Sequence, residues 1–146
     1  MDLKTLYRTV IMDNYKNPKN KGLKNTDKYH FVHLNNPSCG DDMNVEIYIE
    51  NGIVKEVYHD GKGCSICCSS ASVMSDTLVG KTLDEAKAII NDFYEMVKGN
   101  DPTDEEALGE AIAYMGVRDF PARIKCATLS WKAIEQAIDE VEENGK

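Results

Sequence analysis

A chain of 146 residues, 42% hydrophobic and 29% charged, has the balance of a globular protein able to bury roughly two-thirds of its unfolded surface without staples. Its formal net charge of −8 repels phosphate backbones and argues against nucleic acid as a partner. No apolar run reaches bilayer-spanning length, and Met1 to Arg8 mixes charged with apolar residues where a signal peptide has its apolar core, so a cytoplasmic location with no membrane partner is expected.

Leu3, Leu6, Tyr7, Val10 and Ile11 recur at helical spacing behind Asp2, a good N-cap, and predict an N-terminal helix ending near Asn17-Pro18. The polar, lysine-rich run from Lys19 to Lys28 is expected to be an exposed loop or flexible arm. Three strands follow, Tyr29 to Asn35, Met43 to Glu50 and Ile53 to about His59. The second alternates Val45, Ile47 and Ile49 with Asn44, Glu46 and Tyr48. Asn51-Gly52 between the last two strands is a hairpin signal, because both central residues of a type I′ turn need positive φ.

The helical pattern returns from Ser65, with Ile66, Val73, Met74 and Leu78 on one stripe and Gly80 as C-terminal cap. Thr82 and Glu85 form a capping box before Leu83, Ala86, Ile89, Ile90, Phe93 and Val97, and Gly99 stops that helix. Thr103 with Glu106 repeats the signal ahead of Leu108, Ile112 and Met115. Pro121 suits the first turn of a last, long helix carrying Ile124, Trp131, Ile134, Ile138 and Val141. Strands followed by helices, with no internal repeat, define an α+β fold in a single domain, residues 1–146.

Five cysteines (Cys39, Cys64, Cys67, Cys68 and Cys126) exceed what core filling ordinarily asks of free thiols, and in a reducing compartment they point to metal or redox chemistry. Gly40 lets Cys39 and Asp41 project from one tight bend. Cys64 follows Gly61-Lys62-Gly63 where a strand gives way to a helix, whose dipole favours a thiolate. Cys126 lies early in the last helix. These positions are too far apart for a sequence-local zinc pattern, but both loops and the last helix are free to converge at one end of the sheet. Three thiolates and a carboxylate would there make a tetrahedral site for Zn²⁺ or Fe²⁺, with Lys62, Arg123 and Lys125 near enough in sequence to offset its charge.

Cys64-Ser65-Ile66-Cys67 is formally a C-x-x-C, yet it has no second copy and no aromatic-Cys-Gly-Pro surroundings, so the redox and zinc-knuckle readings are set aside. Cys67 and Cys68 are expected inside the helix, one or both facing the core. His30, His33 and His59 lie on strands and are expected to be surface or hydrogen-bonded residues outside the site.

At these residues the chain resembles the IscU/NifU-N-terminal superfamily of iron–sulfur assembly proteins, and within it the SufU type. The resemblance spans nearly the whole chain. It rests on Leu6-Tyr7, Asn17-Pro18, Asn36-Pro37-Ser38-Cys39-Gly40-Asp41, Gly63-Cys64-Ser65-Ile66 with the Ser-Ala-Ser run, and Phe120 to Trp131. It implies a three-stranded antiparallel sheet with helices on one face, and Cys39, Asp41, Cys64 and Cys126 as metal ligands. Lys125 stands where the scaffold type has His, and the segment around Asp101 to Tyr114 resembles the SufU insertion. Arg123 matches an arginine implicated in docking a desulfurase. Cys67-Cys68 departs from the family's small or apolar residues.

By this resemblance the expected function is zinc-dependent sulfur transfer. A PLP-dependent cysteine desulfurase, similar to SufS, would hand persulfide sulfur to Cys39, and a downstream cluster scaffold would receive it. The chain would then act as a sulfurtransferase. A second expectation is a scaffold holding Fe²⁺ or a [2Fe–2S] cluster on the same ligands, and a third is a structural zinc site in an interaction module.

Overall fold

The computed structural model describes residues 2–144. Helix α1 (Leu3–Lys16) starts where the Asp2 carboxylate accepts the Thr5 N–H at 2.8 Å, and Asn17 caps its end through the Asp13 carbonyl. Strands β1 (His30–Asn36), β2 (Asp41–Glu50) and β3 (Ile53–Lys62) form an antiparallel sheet in the order β1-β2-β3. Asn51 and Gly52 take φ of 53° and 73°, the positive pair the hairpin signal required.

Helices α2 (Ser65–Leu78), α3 (Leu83–Lys98), α4 (Glu105–Leu108) and α5 (Pro121–Glu143) follow, with a 3₁₀ stretch, Gly109–Asp119, between the last two. The alternation along β2 sends Met43, Val45 and Ile47 to one face, where they are buried with Val32 and Val57. α5 lies over β1 and β2 on that face, and α2 over β3.

The Ser-Ala-Ser run explains how tightly α2 is embedded. Ser69, Ser70, Ser72 and Ser75 are all buried, and their short side chains allow close approach of neighbouring helices. Each hydroxyl finds a partner: Ser70 donates to the Ala127 carbonyl at 2.6 Å and Ser72 to Asn14 Oδ1 at 2.7 Å. Trp131 stacks on Phe93 with ring centroids 4.0 Å apart, and its indole N–H donates to Ser70 Oγ at 2.9 Å. The Thr82–Glu85 capping box forms as expected, and Gly99 closes α3 at φ 119°.

The structure departs from the sequence reading in three places. The run from Lys19 to Lys28 is a pinned strap rather than a flexible arm. The Lys19 N–H donates to Ser72 Oγ, the Gly22 N–H to the His59 carbonyl, and the Lys24 and Asn25 N–H groups to the buried Glu46 carboxylate. Thr103 does not cap a helix. The residue after it does, Asp104, whose side chain accepts from Ala107, while the Thr103 and Asp104 N–H groups both donate to Asp92. The strands also run further than expected toward one end: β2 begins at Asp41, so that residue belongs to the strand and not to the bend.

Candidate metal centre

Three separate pieces of chain meet at that end of the sheet. β1 and β2 pair down to Asn36 opposite Asp41, leaving Pro37 to Gly40 as a four-residue loop with Gly40 at φ 72°. Asp41 shares the alternation of Met43 and Val45, so its carboxylate turns under the helices and is 1% exposed. β3 ends at Lys62, and Cys64 then serves as the N-cap of α2. Cys126 sits in the second turn of α5, on the buried side shared with Ala127 and Ser130.

The Cys39 and Cys126 sulfurs and a carboxylate oxygen of Asp41 all lie within 4.8 Å of one another. Cys39 is exposed and the other two are buried. Both thiols approach the Ala122 carbonyl, each at 3.9 Å, which docks the Cys39 loop against the first turn of α5. Cys64 falls outside the 4.8 Å set but adjoins it: its N–H donates to Asp41 Oδ1 at 3.1 Å, and its thiol is near enough to help raise the pKa of Cys126. Burial, followed by hydrogen bonds to Asp41, Cys39 and Cys64, pushes the Cys126 thiol well above its ordinary range.

The donor chemistry fits a divalent cation. Thiolate sulfur and carboxylate oxygen are donors that zinc accepts, and two sulfurs and one oxygen are already gathered here with Cys64 adjoining them. Arg123, on the exposed side of the first turn of α5, brings its guanidinium to the Cys64 and Cys126 sulfurs, and their proximity, Cys64 first, pushes its pKa upward. Lys125 is exposed on the same turn of helix. Lys62, the third base singled out by sequence, lies opposite Asp42 in the sheet and lines a cavity with Lys21 and Cys68 whose walls include none of the three donors.

Two further residues shape the centre. Buried Asn36 places its amide Nδ2 3.5 Å from Asp41 Oδ2. Gly63 leaves the room that Asp41 fills, since a Cβ there would collide with the Asp41 carboxylate. Both stood in the sequence beside the chosen cysteines, in Asn-Pro-Ser-Cys-Gly-Asp and Gly-Lys-Gly-Cys. Their signal was proximity to a ligand candidate, which the reading of side-chain chemistry alone passed over. The histidines are as expected: His59 bonds the Lys19 carbonyl at 2.8 Å and His30 bonds Glu140 at 2.7 Å.

A meander of three strands with helices on one face, and thiols and a carboxylate gathered at its end, defines a small α+β protein with a metal-competent centre. The chain belongs to the NifU-like N terminal domain family, matched over residues 6–127. It is 45% identical over 141 residues to the zinc-dependent sulfurtransferase SufU of Bacillus subtilis (strain 168), covering 97% of this chain and 95% of that protein. It is 39% identical over 136 residues to the iron-sulfur cluster assembly scaffold protein IscU of Streptococcus pyogenes serotype M1, covering 93% and 84%. Among solved structures it resembles a nitrogen-fixing NifU-like protein (N-terminal) from Brucella abortus, with a TM-score of 0.84, 27% identity and 97% of each chain covered.

Proposed function

We propose that this protein is a zinc-dependent sulfurtransferase of iron–sulfur cluster assembly, with Cys39, Asp41, Cys64 and Cys126 as the zinc ligands and Cys39 as the sulfur acceptor. The observation that carries this reading is an asymmetry inside one cluster: Cys39 is exposed on a four-residue loop, while Asp41 and Cys126 beside it are buried on a strand and a helix. Bound Zn²⁺ supplies the positive charge that keeps its cysteine ligands deprotonated at neutral pH. Cys39 attacks the outer sulfur of a persulfide on a PLP-dependent cysteine desulfurase. A new S–S bond forms at Cys39, the donor's S–S bond breaks, and the donor cysteine leaves as a thiolate. The relative from Bacillus subtilis, a zinc-dependent sulfurtransferase by name, supports this reading.

Arg123 stands at one edge of an apolar groove of about 570 Å³ whose walls include Tyr7, Ile11, Met12 and Phe120, with Lys4 and Arg8 beside them. Here the desulfurase is the partner assigned to Arg123. A downstream cluster scaffold receives the sulfur, and the reducing cytoplasm suits a chain whose five cysteines are all free. Among the described residues no helix is long and apolar enough to cross a membrane.

Purified protein is expected to hold about one zinc per chain by the four-ligand stoichiometry of such sites, and to raise sulfide release by the desulfurase. Cys39→Ala is expected to abolish that rise while keeping some zinc; undiminished stimulation would remove Cys39 from the acceptor role. A second reading, a scaffold holding a [2Fe–2S] cluster on the same residues, draws support from the Streptococcus pyogenes relative, a scaffold protein by name. It requires that anaerobic reconstitution yield a chromophore that passes intact to an apo-ferredoxin, and a colourless product would end it. The exposed thiol argues against a purely structural zinc site, which keeps its ligands closed from solvent.

A further inference from the structure

In the C-x-x-C run from Cys64 to Cys67 only Cys64 has a part in the transfer chemistry, as a zinc ligand, and the fold gives both residues defined places at the head of α2. Cys64 is the N-cap of α2, at φ −70° and ψ 169°, and its side chain makes no capping hydrogen bond. Cys67 is three residues on, at N3, the position whose backbone an N-cap side chain ordinarily approaches. The two side chains therefore share the first turn of the helix. Cys64 is half-buried and reaches the surface, whereas Cys67 is 1% exposed and packed beneath it. Burial pushes the Cys67 thiol well above its ordinary range, and Asp41, Cys68, Cys64 and Cys39 act in the same direction. Cys68 is placed otherwise: its sulfur turns toward the Gly63 carbonyl at 3.7 Å and lines the cavity that holds Lys21 and Lys62.

We propose that Cys64 and Cys67 are a peroxide-responsive dithiol, a covalent modification site that closes to a disulfide and disables the metal centre. The half-exposed sulfur meets the oxidant and the buried one resolves it. Cys64 attacks a peroxide oxygen, the O–O bond breaks, and a sulfenic acid forms with release of water. The Cys67 sulfur then attacks Cys64, the S–O bond breaks, the S–S bond forms, and a second water leaves. Two thiols and one peroxide thus become one disulfide and two waters. The loss of metal rests on the ligand role given to Cys64 above; the disulfide itself does not.

The test treats metal-free full-length protein with hydrogen peroxide and counts thiols and maps cross-links by mass spectrometry. Wild type is expected to lose two of its five thiols, with a link inside the tryptic peptide of residues 63–81, and Cys68→Ala to behave alike. Cys67→Ala is expected to form no such link and to leave Cys64 trappable by dimedone as a sulfenic acid. Persistence of the link in Cys67→Ala, or a wild-type link from Cys64 to Cys39, Cys68 or Cys126, overturns the proposal. If Cys67→Ala does not fold, the wild-type cross-link map decides alone. A companion assay loads the protein with zinc and follows its release to a chromophoric chelator. A Cys64–Cys67 disulfide that leaves zinc bound would refute the ligand role of Cys64 while the dithiol stands.

Discussion

Gly63→Ala tests how Asp41 is held. Gly63 sits between β3 and α2, and no left-handed φ calls for glycine there. Space does: an added Cβ would overlap Asp41 Oδ1 and stand 3.1 Å from its Cγ and 3.3 Å from its Cβ. The Asp41 side chain is short, 1% exposed, and already engaged at Oδ1 by the Cys64 N–H at 3.1 Å. It can yield only by swinging off that bond and away from Cys39 and Cys126. A hydrogen bond to a charged group contributes about 1.5–3 kcal/mol, and each 1.4 kcal/mol is tenfold, so zinc affinity should fall roughly 10- to 100-fold. Competition against a chromophoric chelator measures this directly. In an Asp41→Ala background the same glycine change has no carboxylate to displace, and its cost should shrink to within about 0.5 kcal/mol of zero. Wild-type affinity in Gly63→Ala, or an undiminished loss in the double variant, would refute this account of the centre.

Three further substitutions probe the surroundings. Arg123→Ala should weaken binding to the desulfurase while zinc content stays unchanged; equal affinity, by titration calorimetry, would make the guanidinium's contact with Cys64 and Cys126 a local structural matter. Ser70→Ala strips the partner from the buried Trp131 indole N–H and should cost about 1–3 kcal/mol in urea unfolding, so a loss near zero would mean the network is dispensable. Glu56 accepts from Lys28, Tyr29 and Tyr58, which hold its carboxyl down from 4.5 to about 2. Its folded pKa lies below its unfolded one, so its contribution is complete above pH 4.5 and drains away as pH falls toward 2. Glu56→Gln should flatten the stability profile in that window and nowhere else; a wild-type profile would show those contacts to be inert.

Much of the fold could be read locally because its signals are local. The Asn51-Gly52 turn, the Thr82–Glu85 box and the Asp2 cap each depend on residues within four positions of one another, and each formed. The strap from Lys19 to Lys28 shows the opposite case. Its polar composition reads as a loop, but its fixity comes from Ser72, His59 and Glu46, none of which is near in sequence. Asp104 displaced Thr103 as a cap for a similar reason, since Asp92, back within α3, claims the Thr103 and Asp104 N–H groups. At the centre, the settings of Cys39, Asp41, Cys64 and Cys126 made them candidates, resemblance implied their ligand role, and alternation explains one of them. Had β2 been carried back two residues, its period of two would already have turned Asp41 toward the helices with Met43 and Val45. The convergence of Cys39 with Cys126 has no such local rule, because it depends on α5 crossing β1 and β2.

That convergence divides the donors by how firmly the fold grips them. Asp41 has its backbone fixed by the register of β2, where a one-residue slip would turn Met43, Val45 and Ile47 out of the core, and its carboxylate leaves only by giving up the Cys64 N–H. Cys126 cannot leave without moving α5, which is locked by Trp131 on Phe93 and by the Ser70 bond to the Ala127 carbonyl. Cys64 is tied by its N–H to Asp41 and by its place at the head of α2. Cys39, exposed on its loop, is held by the Asn36 turn and a long contact to the Ala122 carbonyl and so is the least firmly fixed of the four. A cluster scaffold gains nothing from one loosely held ligand. A sulfur acceptor needs one, because the thiol that receives sulfur must reach outward while its neighbours keep the metal in place. The distribution of restraint among the four residues therefore favours transfer.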